Sequence, residues 1–260
     1  MPQLTGVKNL CIRTGLYRPA LRLSRRLRPA RLQAHLADIR LYKSLLPPSA
    51  LCFDVGANIG AKSEAMLRAG GHVVAFEPSP VAQLELRARC CGEKDWTLIP
   101  AAVGAEAGIA VLYAAREAAK SSLIQGWRGD IVNTYYVPVV TLDAAIKIFG
   151  TPFFCKIDVE GWEFEVLNGL GHPIPLISFE FHLSENGITQ TLSCLKRLSA
   201  FGRHYVNIAP AEACFFQFQE WWQLDEFIKW FPGDLKSTLP RYSYGGYLYG
   251  DIFVKQTHTQ

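Results

Sequence analysis

Residues 51–78 read LCFDVGANIGAKSEAMLRAGGHVVAFEP, and this stretch restricts the possible folds more than any other part of the chain. An apolar run, Leu51-Cys52-Phe53, ends in Asp54. A glycine-spaced turn follows, Gly56-Ala57-Asn58-Ile59-Gly60. The spacing then predicts a helix over 61–69, stopped by Gly70-Gly71, and a second apolar run, Val73-Val74-Ala75-Phe76, that ends in Glu77. Strand, tight turn, helix, turn and strand in under thirty residues make a βαβ unit, and hence an α/β chain with parallel strands.

The ligand chemistry of such a unit is local. Its glycines let backbone approach a ligand and accept positive φ. The helix start offers free N–H groups and partial positive charge. Ligands gather at the carboxyl ends of the strands, where Asp54 and Glu77 stand. Glu77 follows Gly56 by 21 positions, about the spacing at which an acid reaches a ribose diol. A dinucleotide fingerprint needs G-x-G-x-x-G. Here Asn58 replaces the middle glycine, and Asp54 places a negative charge where a pyrophosphate would lie. That charge suits a cationic ligand, such as the ammonium and sulfonium of S-adenosylmethionine. An NAD(P)-dependent oxidoreductase and a non-catalytic nucleotide- or glycan-binding module are the alternatives.

The chain of 260 residues is long enough for one large α/β domain with small additions. We divide it into a basic helical lead-in, 1–46, and a single domain, 47–260. No apolar run reaches membrane-span length, and there is no secretory pattern at the start. The seven cysteines show no CxxC or zinc spacing, which points to reduced thiols and a cytoplasmic setting. The net charge of +4 is unevenly placed. Residues 1–50 carry ten Lys/Arg and one acid, Asp38, whereas the remainder carries 17 basic and 22 acidic residues. Pro19 and Pro29 limit a helix in the lead-in to about 20–28. Its arginines, over 13–31, are expected either to be solvated or to touch an anionic membrane surface. Nucleic acid is not an expected partner, because before Tyr42 only Tyr17 interleaves with the arginines. Residues 31–46 have apolar positions at helical spacing and are expected to pack at the sheet edge near the ligand mouth.

Further along, Ser79 and Pro80 open a helix, 96–99 is a strand, and Ala101-Ala102 begins a small-residue segment against which a flat adenine fits. Residues 109–113 and 135–140 read as a hairpin flanking a polar insertion, in which Ser121, Ser122 and Trp127 are candidates for a substrate mouth. Thr141 caps a short helix. The run 153–157 is a buried strand ending in Asp158, with Glu160 and Gly161 behind it and a helix from Trp162. The next strand, 176–182, puts Glu180 and His182 on one face. Residues 220–231 read as an aromatic-rich amphipathic helix, either core or a sugar platform. Tyr242, Tyr244, Tyr247 and Tyr249 precede a last strand at 251–254.

FDVGANIG (53–60), AFEPSP (75–80), AAVG (101–104), TLD (141–143) and KIDVEGWEFEVLNG (156–169) occur in this order. Together they resemble the FkbM-type methyltransferase family. The resemblance covers about residues 45–182. It implies a Rossmann-like class I methyltransferase fold, with a seven-stranded, mostly parallel sheet whose last strand is antiparallel. It implies S-adenosyl-L-methionine as methyl donor and a hydroxyl of a sugar, glycan or secondary metabolite as acceptor. Carried over by motif, Asp54, Gly56, Asn58 and Gly60 surround the methionine and ribose part of the donor. Glu77 holds the ribose hydroxyls, Ala101 and Ala102 flank adenine, and Asp158 stands near the methyl group. The chain departs from the family wording at Ala105-Glu106 and at Trp162, where a small residue is usual. For the proton lost by the acceptor, Asp158, Glu160, Glu180 and His182 are the candidates, His182 because an unperturbed imidazole titrates near 6.5. The expectation is that Asp158 positions a substrate and that His182 or Glu180 takes the proton. A divalent ion held by Asp158, Glu160 and Glu180 is an option that no spacing requires.

Overall fold

The computed structural model describes residues 6–211, 213–238 and 248–257. The lead-in forms α1 (Gly6–Arg13), α2 (Tyr17–Leu27) and α3 (Pro29–Leu45). The first α/β units are β1 (Leu51–Val55), α4 (Ala61–Arg68), β2 (His72–Phe76), α5 (Pro80–Cys90) and β3 (Trp96–Ile99). Next come β4 (Ala102–Val103), β5 (Gly108–Ala115), β6 (Ile131–Val140), α6 (Leu142–Phe149), β7 (Phe154–Ile157), α7 (Glu163–Asn168), β8 (Leu176–His182) and α8 (Glu185–Ser199). The chain closes with β9 (His204–Pro210), β10 (Trp222–Gln223), α9 (Leu224–Thr238) and β11 (Tyr249–Gln256). Several helices start where side-chain oxygens replace missing backbone acceptors. Ser79, Thr141 and Ser184 accept from the N–H groups of Ala82, Ala144 and Gly187.

One sheet has the order β10-β9-β11-β8-β7-β1-β2-β3. β3, β2, β1, β7 and β8 pair in parallel. β11 runs antiparallel to both β8 and β9. The expected seven strands with a reversed last strand are present, and an eighth, the two-residue β10, is added on the edge of β9. Chain order turns back at β1, between β2 and β7, and this reversal opens a crevice at the strands' carboxyl ends. Both sheet faces are covered. Phe53, Val55, Cys155, Ile157 and Phe179 point to the side packed by α6–α9, and Cys52, Phe154 and Phe253 to the side packed by α3–α5. The hairpin of β5 and β6 stands apart in a second sheet, β4-β6-β5, as its sequence led us to expect.

The lead-in departs from what its sequence suggests. Helix α2 begins at Tyr17, three residues earlier than expected, because Pro19 falls in the first turn, where no N–H is needed. Helix α3 starts at Pro29 for the same reason. The inner face of α2 is not solvated. Tyr17 is buried and donates to Glu85, Arg18 pairs with Glu93 at 2.6 Å, and Arg25 grips Glu64 with two bonds of 3.0 and 2.7 Å. Helix α3 lies over a sheet face and not at its edge: Tyr42 packs on Phe154 of the central strand β7, ring centroids 5.8 Å apart.

In the C-terminal part, Trp222 pairs in β10 and only Leu224 onward is helical. The aromatic residues there pack against the core, with Trp222 and Trp230 half-buried. Phe218, Trp222 and Trp230 stack among themselves within 4.9–5.4 Å, and Phe227 is fully buried. Tyr242, Tyr244 and Tyr247 lie outside the described residues. No described helix is long and apolar enough to cross a membrane.

Candidate functional site

A cavity of about 300 Å³ opens at the carboxyl ends of β1, β2, β7 and β8. Asp54, Gly56, Asn58, Glu77, Ala101, Ala102, Asp158 and Glu180 all line it, whereas Gly60 and His182 do not. Gly60 instead begins α4 in a left-handed conformation, φ 79°. Gly56 has φ 81°, and a Cβ there would sit 1.8 Å from the carbonyl oxygen of Asp158. The turn after β1 thus has to be glycine, because the chain after β7 passes directly beside it.

Glu77 closes one end of the cavity. Its Oε2 accepts the Asn58 N–H and its Oε1 the Ser79 N–H, both at 2.7 Å. Asn58 itself has φ 48°. Burial raises the Glu77 carboxyl to about 7, although both N–H groups oppose the shift. Each of its oxygens keeps an acceptor site for a hydroxyl, which fits a vicinal diol. Ala101 and Ala102 form the neighbouring wall, and the indole of Trp162, to which the sequence motifs assign no ligand role, lines the same region. Its Nε1 is buried with no partner, as is Asn58 Oδ1. A donor and an acceptor left open inside a cavity mark groups that a ligand satisfies.

Asp54, 1% exposed, accepts from Ser63 Oγ, and burial raises its carboxyl. In the strand register Asp54 faces Lys156, a lysine that the motifs alone leave without a role. Lys156 is 3% exposed and donates to Asp158 Oδ2 at 2.7 Å. Burial alone would raise the Asp158 carboxyl, but the Lys156 ammonium overrides it and holds the group below its usual range. Asp158 is therefore a fixed carboxylate and a weak base. Two residues of one strand face the same way, so a lysine in KID was a readable signal: a buried ammonium needs a partner.

The far end is built on a strained turn. Glu160 has φ 54° and Gly161 φ 95°. The Trp127 ring lies on Gly161, where a Cβ would come within 2.6 Å of it. Trp127 Nε1 donates to Glu160 Oε2 at 3.0 Å, and Ser122 Oγ donates to the Glu160 carbonyl at 2.7 Å. The β5–β6 insertion thereby covers this end, with Ser121 and Ser122 on the cavity wall and Trp127 behind it. Glu180 Oε2 is 3.0 Å from His182 Nε2. Burial raises both acids, Glu160 to about 7 and Glu180 well above its usual range, and pushes His182 down to about 4.

Ligand atoms of Glu160, Glu180 and His182 lie within 4.8 Å of one another. The set that converges is thus not the one foreseen: Asp158 is committed to Lys156 and His182 takes its place. Arg128 adds positive charge beside Glu160 and His182. That positive field opposes a divalent cation at these three groups.

Residues 54–233 match the family described as "Methyltransferase FkbM domain". No curated protein matches the sequence. Among solved structures, the precorrin-6y C5,15-methyltransferase of Geobacter metallireducens is similar at 11% identity over 85% of this chain and 86% of that one, TM-score 0.45. The TehB-like SAM-dependent methyltransferase of Corynebacterium glutamicum is similar at 12% identity over 85% and 88%, TM-score 0.39. Aeropyrum pernix fibrillarin, solved with bound S-adenosyl-L-methionine, is similar at 13% identity over 67% and 69%, TM-score 0.41.

Proposed function

We propose a reaction for a chain that belongs to the methyltransferase FkbM domain family: methyl transfer from S-adenosylmethionine to a hydroxyl oxygen of a sugar, glycan or similar small acceptor. One observation carries the reading. A single cavity holds Glu77, shaped for a ribose diol, at one end and the high-pKa carboxyl of Glu180 at the other. Its lining includes the acids Asp54, Glu77, Asp158, Glu160 and Glu180 against the two lysines Lys62 and Lys156. That excess of carboxylates favours a cationic ligand and opposes a pyrophosphate, which argues against the NAD(P) alternative.

When bound, the donor supplies an electrophilic methyl group on a sulfonium. The chain supplies alignment and a proton acceptor. Asp54 and Asp158 offer carboxylates to the donor's positive charge, and Glu77 orients the ribose. In-line positioning of this kind is worth up to about 7–11 kcal/mol of barrier. Glu180 takes the acceptor's proton. It faces the cavity, and its raised pKa makes its carboxylate a stronger base than Asp158, which Lys156 has weakened. His182 sits behind Glu180, its Nε2 3.0 Å from Glu180 Oε2. Of the two expected bases, the cavity-facing one is thus preferred.

The test is methyl release from labelled S-adenosylmethionine with a panel of sugars and glycans. Glu180→Gln is expected to lower turnover by about 10²–10⁴-fold with donor affinity kept. Normal turnover in both Glu180→Gln and His182→Ala sinks the base assignment. Binding of NAD(P) in place of S-adenosylhomocysteine sinks the reaction.

A further inference from the structure

Helix α2 has two faces, and its leucines are on the unexpected one. The inward face uses charge: Arg18 and Arg25 reach Glu93 and Glu64 on the body, and Tyr17 reaches Glu85. The outward face carries Leu16, Leu23 and Leu27, exposed by 56, 57 and 73%. Spacings of seven and four residues put these three in one stripe along the helix. Val7 and Leu10 of α1 and Leu36 of α3 are also exposed. Six of the twelve large hydrophobic side chains exposed among the described residues thus fall within the first 36 positions.

The stripe has a basic border. Arg13, Arg22, Arg26, Arg28 and Arg31 are all exposed. The nearby acids are engaged: Glu64, Glu85 and Glu93 bond to the lead-in itself, and Asp38 pairs with Lys62 at 2.6 Å. Exposed leucines beside uncompensated arginines, with the lysine- and arginine-to-acid ratio of the first fifty residues at ten to one, match an interfacial helix that seats its apolar stripe among headgroups. A second copy of this chain is a poor occupant, because pairing two such faces opposes arginine to arginine.

We infer that the outward face of α1 and α2 is a docking surface for an anionic lipid bilayer, with Leu16, Leu23 and Leu27 inserted at the headgroup level and the flanking arginines on the lipid phosphates. The body-facing arginines hold α2 flat, so the leucine stripe is displayed without any change of fold. The chain then rests on a membrane surface as a peripheral protein, where a glycan acceptor attached to lipid comes within reach. That surface binding does not depend on the methyl-transfer reading.

The test is co-sedimentation of the full chain with vesicles of phosphatidylcholine alone and of phosphatidylcholine with about one third phosphatidylglycerol. Binding is expected to be at least about tenfold stronger to the anionic vesicles and to weaken with salt. Leu23→Ser with Leu27→Ser is expected to reduce it by about tenfold on apolar area alone, and Arg22→Glu with Arg26→Glu to abolish the preference for anionic lipid. Both pairs are exposed, and an unchanged thermal melt verifies the fold. Absent vesicle binding, or binding indifferent to both double variants, overturns the inference. So does a dimer in sedimentation velocity that Leu23→Ser/Leu27→Ser dissociates, since a second copy would then cover the stripe. Retained S-adenosylhomocysteine binding alongside failed vesicle binding separates this failure from failure of the proposed reaction.

Discussion

Substitution of Glu77 tests the donor half of the site most directly. The side chain is 6% exposed, and its oxygens each accept one backbone N–H at 2.7 Å, from Asn58 and Ser79. Glu77→Gln preserves volume but has only one acceptor oxygen, so its NH₂ must face one of those N–H groups. One buried donor is left unmet, at about 1–3 kcal/mol, and one charged hydrogen bond to the ribose is lost, at about 1.5–3 kcal/mol. The first loss falls on stability and the second on affinity, so S-adenosylhomocysteine should bind about 10–100-fold more weakly. Glu77→Ala removes both ribose contacts, for about 3–6 kcal/mol or roughly 10²–10⁴-fold. Removing a carboxylate that burial has raised to about 7 also removes its desolvation cost, so the melting temperature should change less than the affinity. For the same reason wild-type affinity should decline as pH falls below about 7, because a protonated Glu77 offers one acceptor fewer. Calorimetric titration of wild type, Glu77→Gln and Glu77→Ala reads all three expectations. Tight binding by wild type that persists in Glu77→Ala refutes the ribose role. Absent binding to wild type refutes the reading of the whole opening stretch.

Gly56→Ala should destabilise the protein by about 2–5 kcal/mol, the sum of a left-handed φ and a Cβ driven against backbone. Gly60→Ala should cost less, since its Cβ meets the movable Leu86 side chain; thermal melts that reverse this order contradict the geometry. Stability of the ligand-free protein should rise as pH falls from about 8 to 6.5. Glu77, Glu160 and Glu163 are raised by burial to about 7, so over that span the folded chain binds more protons than the unfolded one. Below about 6.5, His35, His182 and His204, all lowered by burial, resist protonation in the fold and offset part of the gain. Glu64 and Asp158, held low, add a constant stabilisation over this span and lose it only as pH falls through and below the ordinary carboxylate range. A melting temperature that is flat or climbs between 6.5 and 8 contradicts the assignment. Turnover should survive EDTA; loss restored by a divalent ion would turn Glu160, Glu180 and His182 from proton chemistry to metal ligation.

How much of this was legible in the sequence depended on whether the governing interaction was local. The β1 turn, the caps at Ser79 and Thr141 and the hairpin at β5 and β6 are decided within a few residues, and period and glycine spacing find them. The Asp54–Lys156 adjacency is decided by register between strands a hundred positions apart, which only the β1–β7 pairing fixes. Trp127 reaches Glu160 from an insertion whose path no periodicity records. The short edge strand β10 was hidden because two residues carry no alternation to read.

The lead-in shows the limit most clearly. A helical period over 16–27 separates a leucine stripe from an arginine stripe, but it is symmetric with respect to which one meets the body. Burying apolar area would normally turn the leucines inward. Here the body presents Glu64 on α4, Glu85 on α5 and Glu93 just beyond it, and carboxylates in that position are better matched by Arg25, Tyr17 and Arg18 than by leucines. Burial would raise Glu64, but Arg25 first, with Arg89 and His35 beside it, overrides that and brings the carboxyl down to about 2. Orientation of the helix is therefore set by three acids located thirty or more positions downstream. The same choice that anchors the helix leaves its leucines outward, so a charge pattern deep in the domain determines what the protein's first helices can touch.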